Sequence, residues 1–178
     1  MGKFEDSKTY QNLLTAFAGE SQARNKYTYW ASVAKKEGYE QIMGYFTETA
    51  DNEMEHAKRF AKFLGLICTT TDNLKHAAEG EHFEHTKLYP EFEKVAKEEG
   101  YEEIATVFKE IGEVEEAHEK RYIKLLKNIE DGSVFKKGKE VFWKCRNCGY
   151  IHYGTSAPEK CPACAHPQSY YEILCENY

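Results

Sequence analysis

Hydrophobic positions recur at helical spacing along the first three quarters of the chain. They form four long amphipathic segments, at about residues 7–37, 39–64, 73–100 and 104–129. Gly38, Gly65 and Gly100 follow three of these segments, as glycine commonly does at helix ends. Pro90 should kink or interrupt the third segment. The pattern predicts a mainly α-helical chain built around four helices.

The pattern changes at about Phe135, where the helical period ends and Gly, Pro, Cys and aromatic residues become frequent. A length of 178 residues allows one sizeable core and a small second module. We therefore expect two domains, a helical domain at 1–134 and a small domain at 135–178. The lysine-rich residues 136–139 are interpreted as the linker between them.

Acids or imidazoles interrupt each of the four apolar stripes near mid-length. A lone carboxylate in such a stripe costs several kcal/mol unless it is paired or bound to a metal. Five carboxylates and two histidines at one level of a helical bundle imply bound cations. These seven candidate ligands are Glu20, Glu53, His56, Glu81, Glu84, Glu115 and His118.

Two Glu-x-x-His motifs lie inside an internal repeat. Residues 34–64 match residues 96–126 at 15 of 31 positions, which indicates a duplication. Each motif places a carboxylate and an imidazole one turn apart on one face of a helix. Chance matches occur in so acidic a chain, and Glu79 with His82 is one, but that pair falls on the polar side of its helix. We expect the two repeated motifs to bind metal.

The kind of ligand narrows the choice of metal. An oxygen-rich set with one imidazole per motif suits iron or manganese better than zinc or copper. Ferritin-like di-iron bundles use one Glu from each of two helices and Glu-x-x-His from each of the other two. This chain meets that pattern and exceeds it by one carboxylate. Our hypothesis is that Glu84 binds the oxidised centre and that His56 replaces it on reduction.

Two C-x-x-C pairs in the last quarter predict a second, tetrahedral metal site. The ligands would be Cys145, Cys148, Cys161 and Cys164, with twelve residues between the pairs. Zinc ribbons and mononuclear iron sites share this geometry, so the ligands alone leave both metals open. A one-electron iron centre is favoured because it could deliver electrons to a di-iron site. Cys68 and Cys175 are interpreted as unpaired thiols.

Charge and hydropathy exclude some classes of partner. The net charge of −6 is spread along helices of mixed sign, which argues against a nucleic-acid partner. The first ten residues lack the apolar stretch of a signal peptide, and no apolar run approaches the roughly 20 residues of a membrane span. We expect a cytoplasmic protein with no membrane partner.

Taken together, these motifs resemble the rubrerythrin family along the whole chain. The resemblance implies a ferritin-like four-helix bundle followed by a small rubredoxin-like four-cysteine domain with short β-strands. The stretches that carry it are Leu13–Asn25, Glu53–Arg59, Gly80–Glu84, Glu115–Arg121, Cys145–Tyr150 and Cys161–Cys164.

The resemblance also implies an activity, the reduction of hydrogen peroxide to water in defence against oxidative stress. Two non-haem irons would act in the bundle, supplied with electrons by one iron in the cysteine site. Partners implied are an electron donor such as a rubredoxin or its reductase and a second copy in a head-to-tail homodimer or a larger oligomer.

The same resemblance assigns roles to the ligands. Glu20, with Glu84 or His56, would be terminal on one iron, Glu81 and His118 terminal on the other, and Glu53 and Glu115 bridging. Tyr27 and Tyr89 would orient carboxylates or donate protons, although for Tyr89 a plain core role is equally compatible with the sequence.

Three other functions remain open from the sequence. The bundle could oxidise Fe(II) for iron storage or detoxification, as ferritin relatives do. It could activate oxygen as an oxidase or hydroxylase, which would need an open substrate pocket. A zinc-loaded ribbon could also bind a partner, with the bundle as its scaffold.

Overall fold

A computed structural model describes residues 3–177, and the chain divides into two compact units, Met1–Thr69 and Thr70–Tyr178. The first unit holds a 3₁₀ turn (Phe4–Asp6) and helices α1 (Lys8–Lys36) and α2 (Glu40–Phe63). The second begins with α3 (Thr70–Phe83), a π-helical segment (Glu84–Leu88), α4 (Tyr89–Glu98) and α5 (Glu102–Glu130). It ends with strands β1 (Lys136–Cys145), β2 (Ile151–Ser156) and β3 (Tyr171–Ile173), with a 3₁₀ turn (Gln168–Tyr170) before β3. The predicted fold class, helices followed by a small four-cysteine module with short strands, is confirmed.

In the first unit, α1 and α2 pack against each other as a helical hairpin. The Ser7 hydroxyl caps α1 by accepting a hydrogen bond of 3.1 Å from the backbone N–H of Tyr10. The buried side chains of the two helices are small, which lets the helix backbones approach closely. They are Ala31, Ala34, Ala50, Ala57 and Ala61.

The two helix junctions at Gly38 and Gly100 have the same geometry. Both glycines have a φ of 83°, a left-handed conformation that other residues adopt only with strain. The following N–H groups close the helix ends in the same way, from Tyr39 to Ala34 O (2.9 Å) and from Tyr101 to Ala96 O (2.8 Å). The repeat seen in the sequence is therefore a structural repeat as well.

In the second unit, α3 and α4 pack against α5. The interruption expected at Pro90 takes the form of the five-residue π-helical segment immediately before it. The N–H of Tyr89 bonds to Glu84 O, five residues back, which is a wider turn than an α-helix makes. Since proline lacks an N–H and its ring crowds the preceding turn, a wide turn at this place allows the helix to continue.

The small sheet is antiparallel, with strand order β2-β1-β3. Its core contains Trp143, Cys145, Cys161 and Tyr171, and the Trp143 Nε1–H donates to Gly154 O at 3.0 Å. The interpretation of residues 136–139 as a linker is wrong, because they belong to β1. Lys136 pairs with Ser156 of β2, and the register is then irregular up to Val141, so β1 continues through residues of weak strand propensity. The domain boundary near 135 falls between α5 and β1 and stays a prediction.

Among the described residues, no helix is both long enough and apolar enough to cross a membrane.

Candidate metal centres

The first unit brings three predicted ligands together. Glu20 comes from α1, and Glu53 and His56 come from successive turns of α2. The His56 Nδ1 lies 2.9 Å from Glu53 Oε2 and 3.7 Å from Glu20 Oε1. A ligand atom of each residue lies within 4.8 Å of the others, so one ion could contact all three. We call this group the first triad.

The two carboxyl groups of the first triad are close enough to share a proton. A hydrogen bond with Glu53 raises the pKa of Glu20, and the same hydrogen bond lowers the pKa of Glu53. Carboxylates so close together cannot both ionise cheaply unless a cation lies between them. The donor set, two carboxylates and an imidazole, therefore fits a divalent iron or manganese ion.

The second unit contains an equivalent group, the second triad. Glu81 comes from α3, and Glu115 and His118 come from α5. The His118 Nδ1 lies 2.7 Å from Glu115 Oε2 and 3.7 Å from Glu81 Oε1, and the three ligand atoms again lie within 4.8 Å of one another. Burial raises the pKa of Glu81, and a hydrogen bond with Glu115 raises it further. This site also fits a cation.

The seventh predicted ligand, Glu84, is the first residue of the π-helical segment and is partly buried. Its carboxylate is not part of either triad, but its negative charge contributes to the raised pKa of Glu81. Tyr89 lies in the same region. Burial raises the pKa of Tyr89, and the charges of Glu84, Glu115 and Glu81 raise it further. Glu84 is therefore a carboxylate beside the second triad, with a phenol close by.

The π-helical segment accounts for a difference in spacing between the two copies. Glu20 precedes Tyr27 by seven residues, whereas Glu81 precedes Tyr89 by eight. A π turn takes up one more residue than an α turn, so the ligand and the tyrosine keep comparable positions in both copies. Single π turns inside α-helices are frequent at functional sites.

Aromatic contacts confirm that the tyrosines occupy equivalent positions. Tyr27 stacks on Phe46 with ring centroids 6.1 Å apart, and Tyr89 stacks on Phe108 at the same distance. Trp30 also packs its edge against Tyr27. Tyr27 thus lies in an aromatic group on the helix that carries Glu20, two turns further along.

The four predicted cysteines come together at the end of β1 and in the two turns beside the sheet. The Sγ atoms of Cys145 and Cys164 are 3.8 Å apart, and those of Cys148 and Cys161 are 3.6 Å apart. Four sulfurs around a tetrahedral metal with bonds of about 2.3 Å lie roughly 3.8 Å from one another. The geometry fits such a metal directly, and iron and zinc fit it equally well.

Two similar turns hold these cysteines. Gly149 N–H donates to Cys145 O at 2.9 Å, and Ala165 N–H donates to Cys161 O at 2.8 Å. The residue after each second cysteine has a positive φ, 78° at Gly149 and 60° at Ala165. Ala165 is the one non-glycine residue with positive φ in the part of the chain that the structure describes, and it adopts this conformation because the turn requires it.

The thiols of the cluster differ widely in acidity. A backbone hydrogen bond from His166 lowers the pKa of Cys164 to about 6. At Cys148, a backbone hydrogen bond from Tyr150 lowers the pKa, but burial and the neighbouring thiols outweigh it and raise the pKa to about 12. Thiols this close hold protons between them unless a cation neutralises the thiolates, which is the behaviour of a metal site. Cys68 and Cys175 are exposed and lie outside the cluster.

One group of polar side chains, His82, His85 and Glu119, was not predicted from the sequence. His82 contacts Glu119 of α5 rather than Glu79, and His85 contacts the same carboxylate. The sequence pattern places His82 on the polar side of its helix and does not single out His85 or Glu119. The available signal was two histidines three residues apart, but the third member is more than 30 residues away in sequence.

The chain is similar in sequence to known proteins along most of its length. The family model described as Rubrerythrin matches residues 11–126, and the model described as Rubrerythrin, rubredoxin-like domain matches residues 143–172. A protein named Rubrerythrin from Porphyromonas gingivalis is 56% identical, over 97% of this chain and 92% of its own length. Another of that name from Nitratidesulfovibrio vulgaris is 51% identical over the full length of both chains. A protein named Putative rubrerythrin from Methanocaldococcus jannaschii is 47% identical, over 96% of this chain and 95% of its own.

Proposed function

The chain belongs to the rubrerythrin family of di-iron proteins, and on that basis we propose that it is a peroxidase reducing hydrogen peroxide to water in defence against oxidative stress. Family membership supports an oxidoreductase, and the ligand types support iron binding. The observation that carries the proposal is the pair of equivalent triads on a chain that also holds a four-cysteine cluster.

In this proposal each triad would hold one iron, and by resemblance to the family the two irons would form one centre. Glu53 and Glu115 would be shared by both irons, Glu20 with His56 or Glu84 would bind one iron, and Glu81 and His118 would bind the other. Such a pair of bound irons supplies Lewis acidity and the electrons that cleave the O–O bond. The overall reaction consumes one peroxide, two electrons and two protons and yields two water molecules.

Glu84 and His56 are proposed to exchange as ligands when the centre changes its oxidation state. The His56 side chain is 57% exposed, against 33% for His118, so it has more freedom to move. Glu84 stands outside the second triad and can offer a negative charge when the metal charge rises. Bound to the oxidised iron, the Glu84 carboxylate would compensate the added positive charge of that state.

Protons must reach the departing oxygens, and the two tyrosines are proposed to assist. Tyr89 holds its proton firmly, because burial and three nearby carboxylates raise the pKa of its phenol. A phenol of this kind can orient a carboxylate oxygen by donating its O–H. Tyr27 has the equivalent position in the first copy, stacked on Phe46, and is assigned the same role.

The four-cysteine cluster is proposed to hold one iron and to pass single electrons to the di-iron centre. A rubredoxin or its reductase would supply these electrons, and the active form would be a head-to-tail homodimer or a larger oligomer in the cytoplasm. Iron is favoured over zinc at this site because a redox-inactive ion could not carry electrons.

A stopped-flow experiment tests the proposal. Iron-loaded protein is reduced without oxygen and mixed with hydrogen peroxide or with oxygen, while the visible absorption of the iron–thiolate centre is followed. We expect this absorption to return much faster with peroxide. Cys161→Ser should abolish the signal, whereas the exposed Cys68→Ser should leave it unchanged and serves as the matched control.

Two outcomes would contradict the proposal. Recovery with oxygen alone would favour an oxidase or a ferroxidase. Iron-loaded wild type that never shows iron–thiolate absorption would mean that the cysteine cluster does not hold iron, and it would favour a zinc-bound ribbon.

A further inference from the structure

Two histidines and a glutamate form a compact group in the second unit that the proposed function does not use. The Glu119 carboxylate contacts His82 Nδ1 through Oε1 at 3.0 Å and His85 Nε2 through Oε2 at 2.6 Å. A ligand atom of each residue lies within 4.8 Å of the others. None of the three belongs to either triad or to the cysteine cluster.

The helices hold this group in place from two sides. His82 lies in the last turn of α3, His85 lies in the π-helical segment one turn later, and Glu119 projects from α5. The side chains of His85 and Glu119 are each only 16% exposed, so their positions are restricted. The His82 side chain is 60% exposed and can be reached from solvent. Two ligands are thus fixed and the third is accessible.

The distances between these atoms are close to those around a small transition-metal ion. In a tetrahedral zinc site with bonds of about 2.0–2.1 Å, neighbouring ligand atoms lie about 3.3 Å apart. The observed separations of 2.6 and 3.0 Å would have to widen by well under 1 Å. Rotation of the exposed His82 ring and a small movement of the carboxylate can provide this change.

The surroundings of the group favour a cation with an open coordination position. An open groove of about 400 Å³ borders His82 and Glu119 and is also lined by Ala78, Glu79 and Ile123. Besides Glu119, the Glu79 carboxylate also lines this groove, and its negative charge attracts a cation. The groove has room for water beside the ligands.

We propose that His82, His85 and Glu119 bind one Zn²⁺ ion, with the remaining position occupied by water. Two imidazoles and one carboxylate are a common zinc ligand set in sites that keep a position open. In the zinc-bound form, His82 Nδ1 and His85 Nε2 would carry no proton and would present their lone pairs to the metal. A neutral imidazole would then hold its N–H on the other ring nitrogen, and any proton that the ion displaces would pass to solvent water. The bound ion would link the π-helical segment to α5. It would form a third kind of metal site, besides the two triads and the four-cysteine cluster.

Zinc binding to the complete, iron-loaded protein tests this site. Wild type and variants are dialysed against Zn²⁺, and zinc and iron per chain are measured in the same samples. We expect the double variant H82A/H85A to bind one fewer zinc per chain than wild type while keeping the same iron. His76→Ala, which removes an exposed histidine from α3 outside the group, should bind as much zinc as wild type.

Two results would overturn the proposal. H82A/H85A with the zinc content of wild type would show that the group binds no zinc. An equal loss in His76→Ala would show that the loss in the double variant does not come from this group. Should the double variant lose iron or helicity, crystals of wild type soaked in Zn²⁺ decide the question. Anomalous diffraction should place zinc about 2.1 Å from His82 Nδ1 and His85 Nε2. Zinc bound only elsewhere would refute the site.

Discussion

The two triads contain the same repeated motif and have nearly the same geometry, but they differ in the exposure of the histidine and in the helical turn beside them. In both, the histidine Nδ1 lies 2.7–2.9 Å from the glutamate three residues earlier and 3.7 Å from the glutamate of the neighbouring helix. The second copy alone contains the π-helical segment, which adds one residue and carries Glu84. The two copies therefore share a metal-binding framework, and the second copy differs in two ways: it carries the additional carboxylate of Glu84, where the first copy has Ala23, and it has one more residue before the tyrosine.

Removing the central glutamate of either triad should have the largest effect. Glu53→Ala and Glu115→Ala are each expected to lower peroxidase activity by about 100-fold or more, because loss of a direct ligand should exceed the 10- to 100-fold typical of groups behind the ligands. Iron analysis and peroxide consumption measure this. Glu55→Gln is the matched control, since Glu55 pairs with Lys58 on the surface. Wild-type activity in only one of the two alanine variants would show that the triads are not equivalent.

The additional carboxylate, Glu84, leads to a prediction that different residues stabilise iron binding in the oxidised and in the reduced protein. Glu84→Ala should weaken iron binding mainly in the oxidised protein, and His56→Ala mainly in the reduced protein, each by about tenfold or more. Iron release to a chelator, measured in both states, tests this. His76→Ala serves as a control that removes an exposed imidazole. If both variants weakened the same state, the proposed exchange would be wrong.

Tyr27 and Tyr89 occupy equivalent positions in the two copies, and both are predicted to contribute to proton supply. Tyr27→Phe and Tyr89→Phe should both retain iron but lower kcat about tenfold or more, with little change in KM, because the ring stays in place and only the phenolic hydroxyl is removed. Steady-state kinetics with iron analysis gives the answer. Tyr29→Phe, an exposed tyrosine of α1, should behave as wild type. Should only Tyr89→Phe be impaired, the second copy alone would carry the proton route.

The smallest effects are expected at the repeated helix junctions. Gly38→Ala and Gly100→Ala should each lower the free energy of unfolding by about 1–2 kcal/mol, because both glycines have a φ of 83°. An added Cβ would meet no neighbouring atom at either position, so backbone strain alone sets the cost. Denaturant unfolding measures the change. Costs that differ by more than about 1 kcal/mol would mean that the junctions are not energetically equivalent.

Much of this arrangement could be predicted from the sequence because it depends on local periodicity. Acids in apolar stripes identified the members of both triads, and glycines marked the helix ends. The cysteine spacing identified the second kind of site in the same way. These signals are short-range, and the structure places the same residues together within each unit.

Other features depend on packing that no local pattern encodes. The wide turn before Pro90 is defined by the hydrogen bond from the Tyr89 N–H to Glu84 O, which the sequence does not predict. Residues 136–139 have a composition typical of a linker, yet they lie in β1, which pairs with β2 at Lys136 and again from Val141. His85 and Glu119 meet across two helices, so their contact needed the tertiary structure.

The range of the backbone contacts also bears on how the chain assembles. Hydrogen bonds within each helix join residues only about four positions apart, so no long loop must close before they form. By contrast, β1 pairs with β3 across more than 20 residues. We expect the helices to form first and the sheet later. The chain contains two tryptophans, Trp30 in α1 and Trp143 in β1, so the fluorescence of single-tryptophan variants would report the two events separately.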